Sequence, residues 1–545
     1  MNKSVNWIVQ KRKLFCFQKG IIFTNILNMQ AIQILWVDDE VDLLKPHFLF
    51  LASRGYEAHV CTNGQEALSL VNERRFDVVL LDENMPGLNG LETLGLLKAE
   101  HPSLPVIMVT KNEEEHIMED AIGSKISDYL IKPVNPHQIL LSLKKTLDHQ
   151  SLISEKTAHN YQKEFQQISL ALMDVDTPSA WADFYKKLVY WQLELQQSGD
   201  VAFAEILDNQ IKEANALFGK FIERNYPDWI ADSNDTPLLS PRLIKEKVLP
   251  NLKGEQPTLL LVIDNLRWDQ WKTIEPILST LYQKTEETLY YSILPTATQY
   301  ARNSLFAGLM PSEIKQHYPE LWLDDHEEGG KNQHEAELLE KQLKRLHVDH
   351  KHCFKKVTNL EAAKSLVKEV EQQKNNGLFT VVYNFVDMIS HAKSEMEIIK
   401  ELASDDKAYR SLTESWFKNS PLFEALQKAR DLGYQLMLTT DHGTINVKSP
   451  LEVVGDKATS MNLRYKAGKN LNYPSKKVME VADPKSLKLP NISLNSRYIF
   501  AKEAHYFVYP QNFNHYAKLF QNTYQHGGIS MEEMLIPFVF LTPKN

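Results

Sequence analysis

Short apolar runs alternate with amphipathic stretches through the first quarter of the chain. Ile34-Leu35-Trp36-Val37, Ala58-His59-Val60, Val78-Val79-Leu80-Leu81, Val106-Ile107-Met108-Val109 and Tyr129-Leu130-Ile131 have the length and composition of buried strands. Five such strands separated by helical stretches predict a parallel, doubly wound sheet over 29–150. From about Ser151 to Pro227 the pattern turns wholly helical. Trp181, Phe184, Leu188, Trp191 and Leu195 recur at three and four. After Ser198-Gly199-Asp200 a second stripe follows, carried by Phe203, Leu207, Ile211, Phe218 and Phe221. A small helical bundle is expected over 151–232. Beyond a polar stretch at Ser233–Pro241, strand signals return at Leu259–Ile263, Phe379–Phe385 and Gln435–Leu438, with helical segments between, so a larger α/β domain is expected over 245–545.

The 545 residues allow roughly three to four domains of about 150 residues each. Hydrophobic residues at 43% and charged residues at 24% are the proportions of an ordinary soluble protein. A net charge of -9 removes any general attraction to duplex DNA, and no helix-turn-helix unit is recognisable after the first sheet, so duplex-DNA binding is not expected. Cys16, Cys61 and Cys353 form no close pair, which argues against a disulfide framework and for a reducing, cytoplasmic compartment. Residues 1–28 carry Lys11-Arg12-Lys13 and then Ile21-Ile22-Phe23, the outline of a secretory signal. Lys19 and Asn25 interrupt it and no small-residue cleavage site follows, so the segment is expected to be a mobile or mis-started leader before Met29. Nowhere do about 18 apolar residues run together, and no membrane span is expected.

Asp38 and Asp39 end the first strand, Asp82 the third and Thr110 the fourth, and Lys132-Pro133 follows the fifth. In an open parallel sheet these groups meet at the carboxyl edge, where such sheets place their sites. Three crowded carboxylates repel one another, and Mg2+, a hard cation that takes oxygen ligands, relieves the repulsion. Asp82 can then attack a phosphoryl group, Lys132 neutralise the new charge and Thr110 donate a hydrogen bond to it. With Met85-Pro86-Gly87 after Asp82, the segment resembles the receiver domains of response regulators over its whole length. The resemblance implies a CheY-like fold, phosphorylation at Asp82 and an aromatic switch at Tyr129.

A second set of metal-ligating residue types lies at strand ends in the C-terminal domain: Asp264, Thr298, Asp387 with His391, Asp441-His442-Gly443, and His526-Gly527-Gly528. Carboxylates, imidazoles and a hydroxyl make borderline nitrogen and oxygen sites that suit zinc. In this order, and with Asp264-Asn265-Leu266-Arg267-Trp268-Asp269-Gln270-Trp271, they resemble the alkaline phosphatase superfamily and its PglZ branch over about 255–540. The resemblance implies two zinc ions, one on Asp264, Thr298, Asp441 and His442 and the other on Asp387, His391 and His526, with a threonine as nucleophile. Thr298 is preferred to Thr296 for its ten-residue distance to Gly308. Arg302 and Asn303 follow it, either to donate to a phosphoryl oxygen or as helix-surface residues. The basic segment 455–480, with Tyr465 and Tyr473, is either a lid that grips phosphates and stacks on a base or a solvated loop.

A receiver joined through helices to a PglZ-like domain resembles the PorX-type response regulators linked to type IX secretion, over residues 29–545. That resemblance implies a sensor histidine kinase as phosphodonor, a homodimer formed on phosphorylation, a zinc phosphodiesterase output acting on nucleotides or oligonucleotides, and secretion-system partners. The alternative is a protein-binding scaffold whose catalytically weak PglZ domain presents a surface when Asp82 is phosphorylated.

Overall fold

The computed structural model describes residues 32–102, 104–111, 126–231, 236–252, 256–348, 350–384, 386, 405–456, 459–493 and 495–544. Asp387, His391 and the leader at 1–28 lie outside the described residues. The chain divides into two units, Met1–Glu155 and Lys156–Asn545.

In the first unit, β1 (Ile32–Val37), β2 (Tyr56–Cys61), β3 (Val78–Asp82), β4 (Val106–Thr110) and β5 (Asp128–Ile131) form one parallel sheet in the order β2-β1-β3-β4-β5. The central strands β3 and β4 are buried along their whole length, as expected of strands covered on both faces. Two apolar cores flank the sheet: Leu35, Val79, Leu81 and Met108 face one, and Ile34, Trp36, Leu80 and Ile107 face the other. Alternating strand residues point to opposite faces, which explains the division. Asn89 caps helix Gly90–Glu100 by accepting from the Glu92 amide, and the Glu92 carboxylate accepts from the Asn89 amide in return. Gly90 sits so close to β3 that a Cβ there would stand 2.3 Å from the Asp82 carbonyl oxygen.

Helix Pro136–Asp174 includes the boundary between the two units. Helix Pro178–Ser198 opens on Thr177, whose hydroxyl accepts from the Ala180 amide, with Pro178 in its first turn, and ends on Gly199 in the left-handed region at φ 72°. Asp200 then caps helix Val201–Ile230 through the Phe203 amide at 3.1 Å. The two helices pair their aromatic stripes, with Trp181 edge-on to Phe218 at 5.2 Å between ring centroids. The bundle, legible in the sequence as a separate linker, shares one continuous hydrophobic core with the C-terminal domain inside the second unit.

That domain is built on a six-stranded sheet of β6 (Thr258–Ile263), β7 (Tyr282–Tyr291), β8 (His352–Val357), β9 (Leu378–Tyr383) and β10 (Gln435–Thr439), closed by the C-terminal strand. Before that last strand come β11 (Ile445–Asn446), β12 (Ser449–Glu452), β13 (Tyr465–Gly468), β14 (Val478–Val481), β15 (Arg497–Ala501), β16 (His505–Val508) and β17 (Tyr524–Gln525), all in small sheets; the last is β18 (Leu535–Pro543). The order is β7-β18-β10-β6-β9-β8, with β10, β6, β9 and β8 parallel and β18 and β7 antiparallel at one side. Within the segment expected as a lid or a solvated loop, Tyr465–Gly468 form a buried strand, while 474–477 are exposed. Tyr465 lies buried on β13, part of a three-stranded sheet β13-β15-β14, because its ring packs under Gly527 and its hydroxyl donates to Asp325 at 3.2 Å. Tyr473 is half-buried against the core beside that sheet.

Candidate functional site

In the receiver unit, parallel pairing puts the carboxyl ends of β1 and β3 side by side, Val37 opposite Leu81, so the next residues on each strand meet. Asp38 and Asp82 are buried and Asp39 is exposed, and oxygens of all three lie within 4.8 Å of one another. Lys132, after β5, reaches Asp38 Oδ2 at 2.9 Å and Asp82 Oδ1 at 3.0 Å. Burial raises the pKa of Asp82, and the Lys132 ammonium pulls it back. Burial alone would lower Lys132, but the carboxylates of Asp38 and Asp82 outweigh it and raise it. The Thr110 hydroxyl, expected to face a phosphoryl group, donates to the Glu83 carboxylate. Tyr129 is half-buried on β5. The all-oxygen donor set fits Mg2+.

In the second unit, β6 and β10 are parallel neighbours with Val262 opposite Thr439, so Asp264 and Asp441 leave the sheet at the same edge. Asn265, at φ 65°, turns the chain sharply after Asp264. Asp264, Asp441 and His442 are buried, with one donor atom from each lying within 4.8 Å of the others. His442 Nε2 stands 3.5 Å from Asp441 Oδ2 and 3.9 Å from Asp264 Oδ1. Thr298 opens helix Thr298–Ala307, and its hydroxyl lies 3.1 Å from that same Nε2. The other ring nitrogen, Nδ1, faces the Gly443 carbonyl at 3.1 Å. A carbonyl only accepts, so Nδ1 carries the proton and Nε2 offers a lone pair. Burial lowers the pKa of His442 to about 4, which keeps the ring neutral near pH 7. Burial raises both Asp264 and Asp441, while Arg302 pulls each back.

Oδ1 of Asp264 and Oδ2 of Asp441 are buried without a hydrogen-bond partner among the described residues, while Asp264 Oδ2 is taken by Arg302. Buried carboxylates are normally paired or coordinate a metal, and two carboxylates with a neutral imidazole suit zinc. Arg302, one of the two expected phosphoryl donors, is fully buried: its guanidinium touches Asp264 Oδ2 at 2.6 Å and Glu335 Oε1 at 2.5 Å. Asn303, the other, is also buried and donates to the Lys331 carbonyl at 3.0 Å. Neither is a helix-surface residue. The two threonines separate by their bonding. Thr296 is buried, donates to the Gly528 carbonyl at 2.9 Å and accepts from the Gly527 amide at 3.0 Å. The Thr298 hydroxyl faces the cluster. His526, grouped from the sequence with Asp387 and His391, stacks on His442 with ring centroids 4.2 Å apart.

Several side chains that hold the site escaped the sequence. Ser292 Oγ donates to the Asp441 carbonyl at 2.7 Å. Glu533 accepts from the Gly528 amide at 2.9 Å, and Arg464 donates to the same carboxylate at 2.6 Å. Gly443 passes so close to the chain at 532 that a Cβ there would stand 1.9 Å from the Glu532 carbonyl oxygen. Ser292, Arg464 and Glu533 belong to no local motif, whereas Gly443 is part of Asp441-His442-Gly443; only a charged pair fully buried by the fold gives Arg464 and Glu533 away.

Comparison with known proteins gives the order of the domains. Residues 34–144 match the response regulator receiver domain, residues 151–230 the PorX response regulator linker domain, and residues 243–541 the BREX system PglZ alkaline phosphatase-like domain. The transcriptional regulatory protein ZraR of Klebsiella oxytoca is 34% identical over 126 residues, 23% of this chain and 28% of that protein. The transcriptional regulatory protein SrrA of Staphylococcus aureus is 28% identical over 151 residues, 28% of this chain and 62% of that protein. The chain thus spans less than two thirds of the length of either relative. The crystal structure of a CheY-like response regulator receiver domain protein from Methanospirillum hungatei JF-1 aligns at 29% identity, covering 22% of this chain and 97% of that one, with a TM-score of 0.22. No helix among the described residues is long and apolar enough to cross a membrane. With the PglZ model matching more than half of its length, behind a receiver and a PorX-type linker, the chain belongs to the PglZ alkaline phosphatase-like family in the domain order of a PorX-type response regulator.

Proposed function

We propose that this chain is a two-component response regulator, cytoplasmic, in which phosphorylation of Asp82 by a sensor histidine kinase controls a zinc-dependent phosphodiesterase directed at nucleotides or oligonucleotides. The observation that carries the hydrolase reading is the Thr298 hydroxyl at 3.1 Å from a neutral His442, beside two buried carboxylates that each keep one oxygen without a hydrogen bond among the described residues. Asp264, Asp441, His442 and Thr298 would hold one zinc; His526 stands beside them, and the second zinc of the pair would draw on it together with Asp387 and His391. Bound there, zinc supplies a lowered pKa for a coordinated hydroxyl and charge compensation for a phosphoryl oxygen. Thr298, at the first turn of a ten-residue helix, presents its hydroxyl where the helix dipole favours an incoming anion. His442 would give its Nε2 lone pair to the metal, beside the Thr298 hydroxyl, and holds its ring orientation through Nδ1 and Gly443.

A diester is favoured over a monoester by the place of Arg302. A monoester brings an extra negative oxygen that calls for a cation beside the metals, and Arg302, the candidate for that task, is committed to Asp264 and Glu335. Stacking on Tyr465 no longer supports the choice, since that ring is buried. In the receiver, Asp38, Asp39 and Asp82 would hold Mg2+, Lys132 neutralises charge gained at Asp82, and Thr110 must leave Glu83 to meet a phosphoryl oxygen. Hydrolysis of bis-p-nitrophenyl phosphate and short oligonucleotides, against p-nitrophenyl phosphate, tests the output, with Thr298→Ala as control. The expected result is diester cleavage that Thr298→Ala abolishes. A monoester preference overturns the substrate assignment, and undiminished activity in the variant overturns the nucleophile. Metal-free, fully folded protein unaffected by chelators would favour the scaffold.

A further inference from the structure

Three segments that carry or back the candidate site are held by side chains of the linker bundle. Tyr226, buried on helix Val201–Ile230, accepts the Leu294 amide at 2.8 Å, at the start of the turn that leads from β7 to Thr298. Asn215, buried on the same helix, accepts the Met531 amide at 2.9 Å and donates to the Glu532 carboxylate at 3.0 Å. The short turn at 531–534 lies directly behind the site: Gly443, next to His442, donates its amide to the Glu533 carbonyl at 3.0 Å, and Ser292 donates its amide to the Met534 carbonyl at 2.8 Å. On the neighbouring helix Pro178–Ser198, Gln196 accepts from Arg410 Nε at 3.1 Å. Arg410 pairs with Asp269 at 2.9 Å, and Asp269 accepts from Arg267 Nε at 2.8 Å, three residues past Asp264.

We propose that Asn215 and Tyr226 of the linker are positioning residues of the phosphohydrolase site, so that helix Val201–Ile230 sets the spacing between Thr298 and the Asp264–Asp441–His442 cluster. Neither side chain touches the cluster. Tyr226 satisfies a buried backbone amide in the segment that leads to Thr298, and Asn215 one in the turn that backs Gly443, and a buried amide left unpaired shifts to find a partner. Thr298 opens a helix after β7, whereas the cluster follows β6 and β10, neither of them a neighbour of β7 in the sheet, so their separation is set by what holds the turns. The inference rests on the hydrolase reading for its catalytic consequence but not for its structural part.

The test uses the full chain with Tyr226→Phe, which keeps the ring and removes the hydroxyl, and Asn215→Ala, with Lys220→Ala, exposed on the same helix, as control. Backbone amide exchange is followed by mass spectrometry, zinc affinity by competition with a chromophoric chelator, and hydrolysis of bis-p-nitrophenyl phosphate by kcat and KM. The expected result is faster exchange confined to 292–298 and 443–446 or 528–534, weaker zinc binding, and kcat lower by about tenfold with KM little changed, as for a misplacement of a fraction of an ångström. Exchange and zinc affinity equal to the control in both variants overturn the proposal. Exchange is read without metal or substrate. A wild-type chain that cleaves no phosphate ester therefore overturns the reading of the site, while the linker's hold on the turns stands or falls on exchange alone.

Discussion

The two threonines near the cluster differ in what surrounds each hydroxyl, and this makes them separable by experiment. Thr296→Val removes a donor to Gly528 and an acceptor for the Gly527 amide, and is expected to cost about 1–3 kcal/mol of stability because a buried amide loses its partner. Thr298→Ala is expected to leave urea unfolding unchanged and to remove activity. Equal losses of activity in both would show that the Gly527-Gly528 turn, not the hydroxyl, is what matters. Arg302 lies between two buried carboxylates, so Arg302→Met removes the guanidinium from Asp264 and leaves Glu335 with Lys356, at 2.8 Å, as its cation. A loss on the order of 3–5 kcal/mol is expected in denaturant unfolding. A variant as stable as the parent would show that the guanidinium is dispensable to the fold.

Among the elements, the sharpest constraints fall where backbones pass without room for a side chain. Gly90 opens the helix after Asp82, and Gly90→Ala forces a methyl group against the Asp82 carbonyl oxygen, which is backbone and cannot rotate away. The variant is expected to lose receiver stability and acyl-phosphate labelling together, measured by thermal unfolding and by incubation with a small phosphodonor and Mg2+. Unchanged labelling would mean that β3 and helix Gly90–Glu100 have slack that the packing does not show. The small sheet β13-β15-β14 offers a different test. Lys466 on β13 is buried, with its ammonium over the Tyr509 ring at 4.5 Å and its Nζ donating to the Ser460 carbonyl at 3.0 Å. Burial pulls its pKa from 10.5 down to about 7, with Asp325 opposing. Between those values the unfolded chain binds a proton that the folded chain does not, so this residue's contribution to stability rises with pH across the window and is lowest below it. Lys466→Met is therefore expected to raise the melting temperature near pH 7, with the gain shrinking as pH rises towards 10. A gain independent of pH would contradict the buried-charge account.

Across the whole molecule, the expectation is that one residue switches the chain. Asp82 ends a central strand opposite Asp38 and Lys132, so incubation with a phosphodonor and Mg2+ should label it and Asp82→Asn should abolish the label. Labelling that survives in the variant would move the phosphoacceptor elsewhere. We further expect phosphorylation to shift a monomer–dimer equilibrium, which requires only a few kcal/mol of differential affinity. Light scattering with and without an acyl-phosphate mimic checks this, and an unchanged mass refutes it.

Buried strands, helical stripes and the ends of strands were legible in the sequence because burial on both faces demands continuous aliphatic runs, as in Thr258–Ile263, and a helix face demands a spacing of three and four, as from Trp181 to Leu195. Asp38, Asp82, Asp264 and Asp441 follow such runs directly, so their meeting at one sheet edge in each unit was implied once parallel pairing was assumed. The direction of a side chain on an irregular turn was not legible. Thr296 and Thr298 differ only in which groups, more than 140 residues away, reach their hydroxyls, and Arg302 turns inward because Glu335 and Asp264 are buried beside it. Tyr465 reads as a stacking residue in a basic segment until the neighbouring strands bury it. Sequence periodicity fixes which face of an element is apolar; the partners of each polar group are fixed by sheet register and by the packing of the linker bundle, and these exist only in the folded chain.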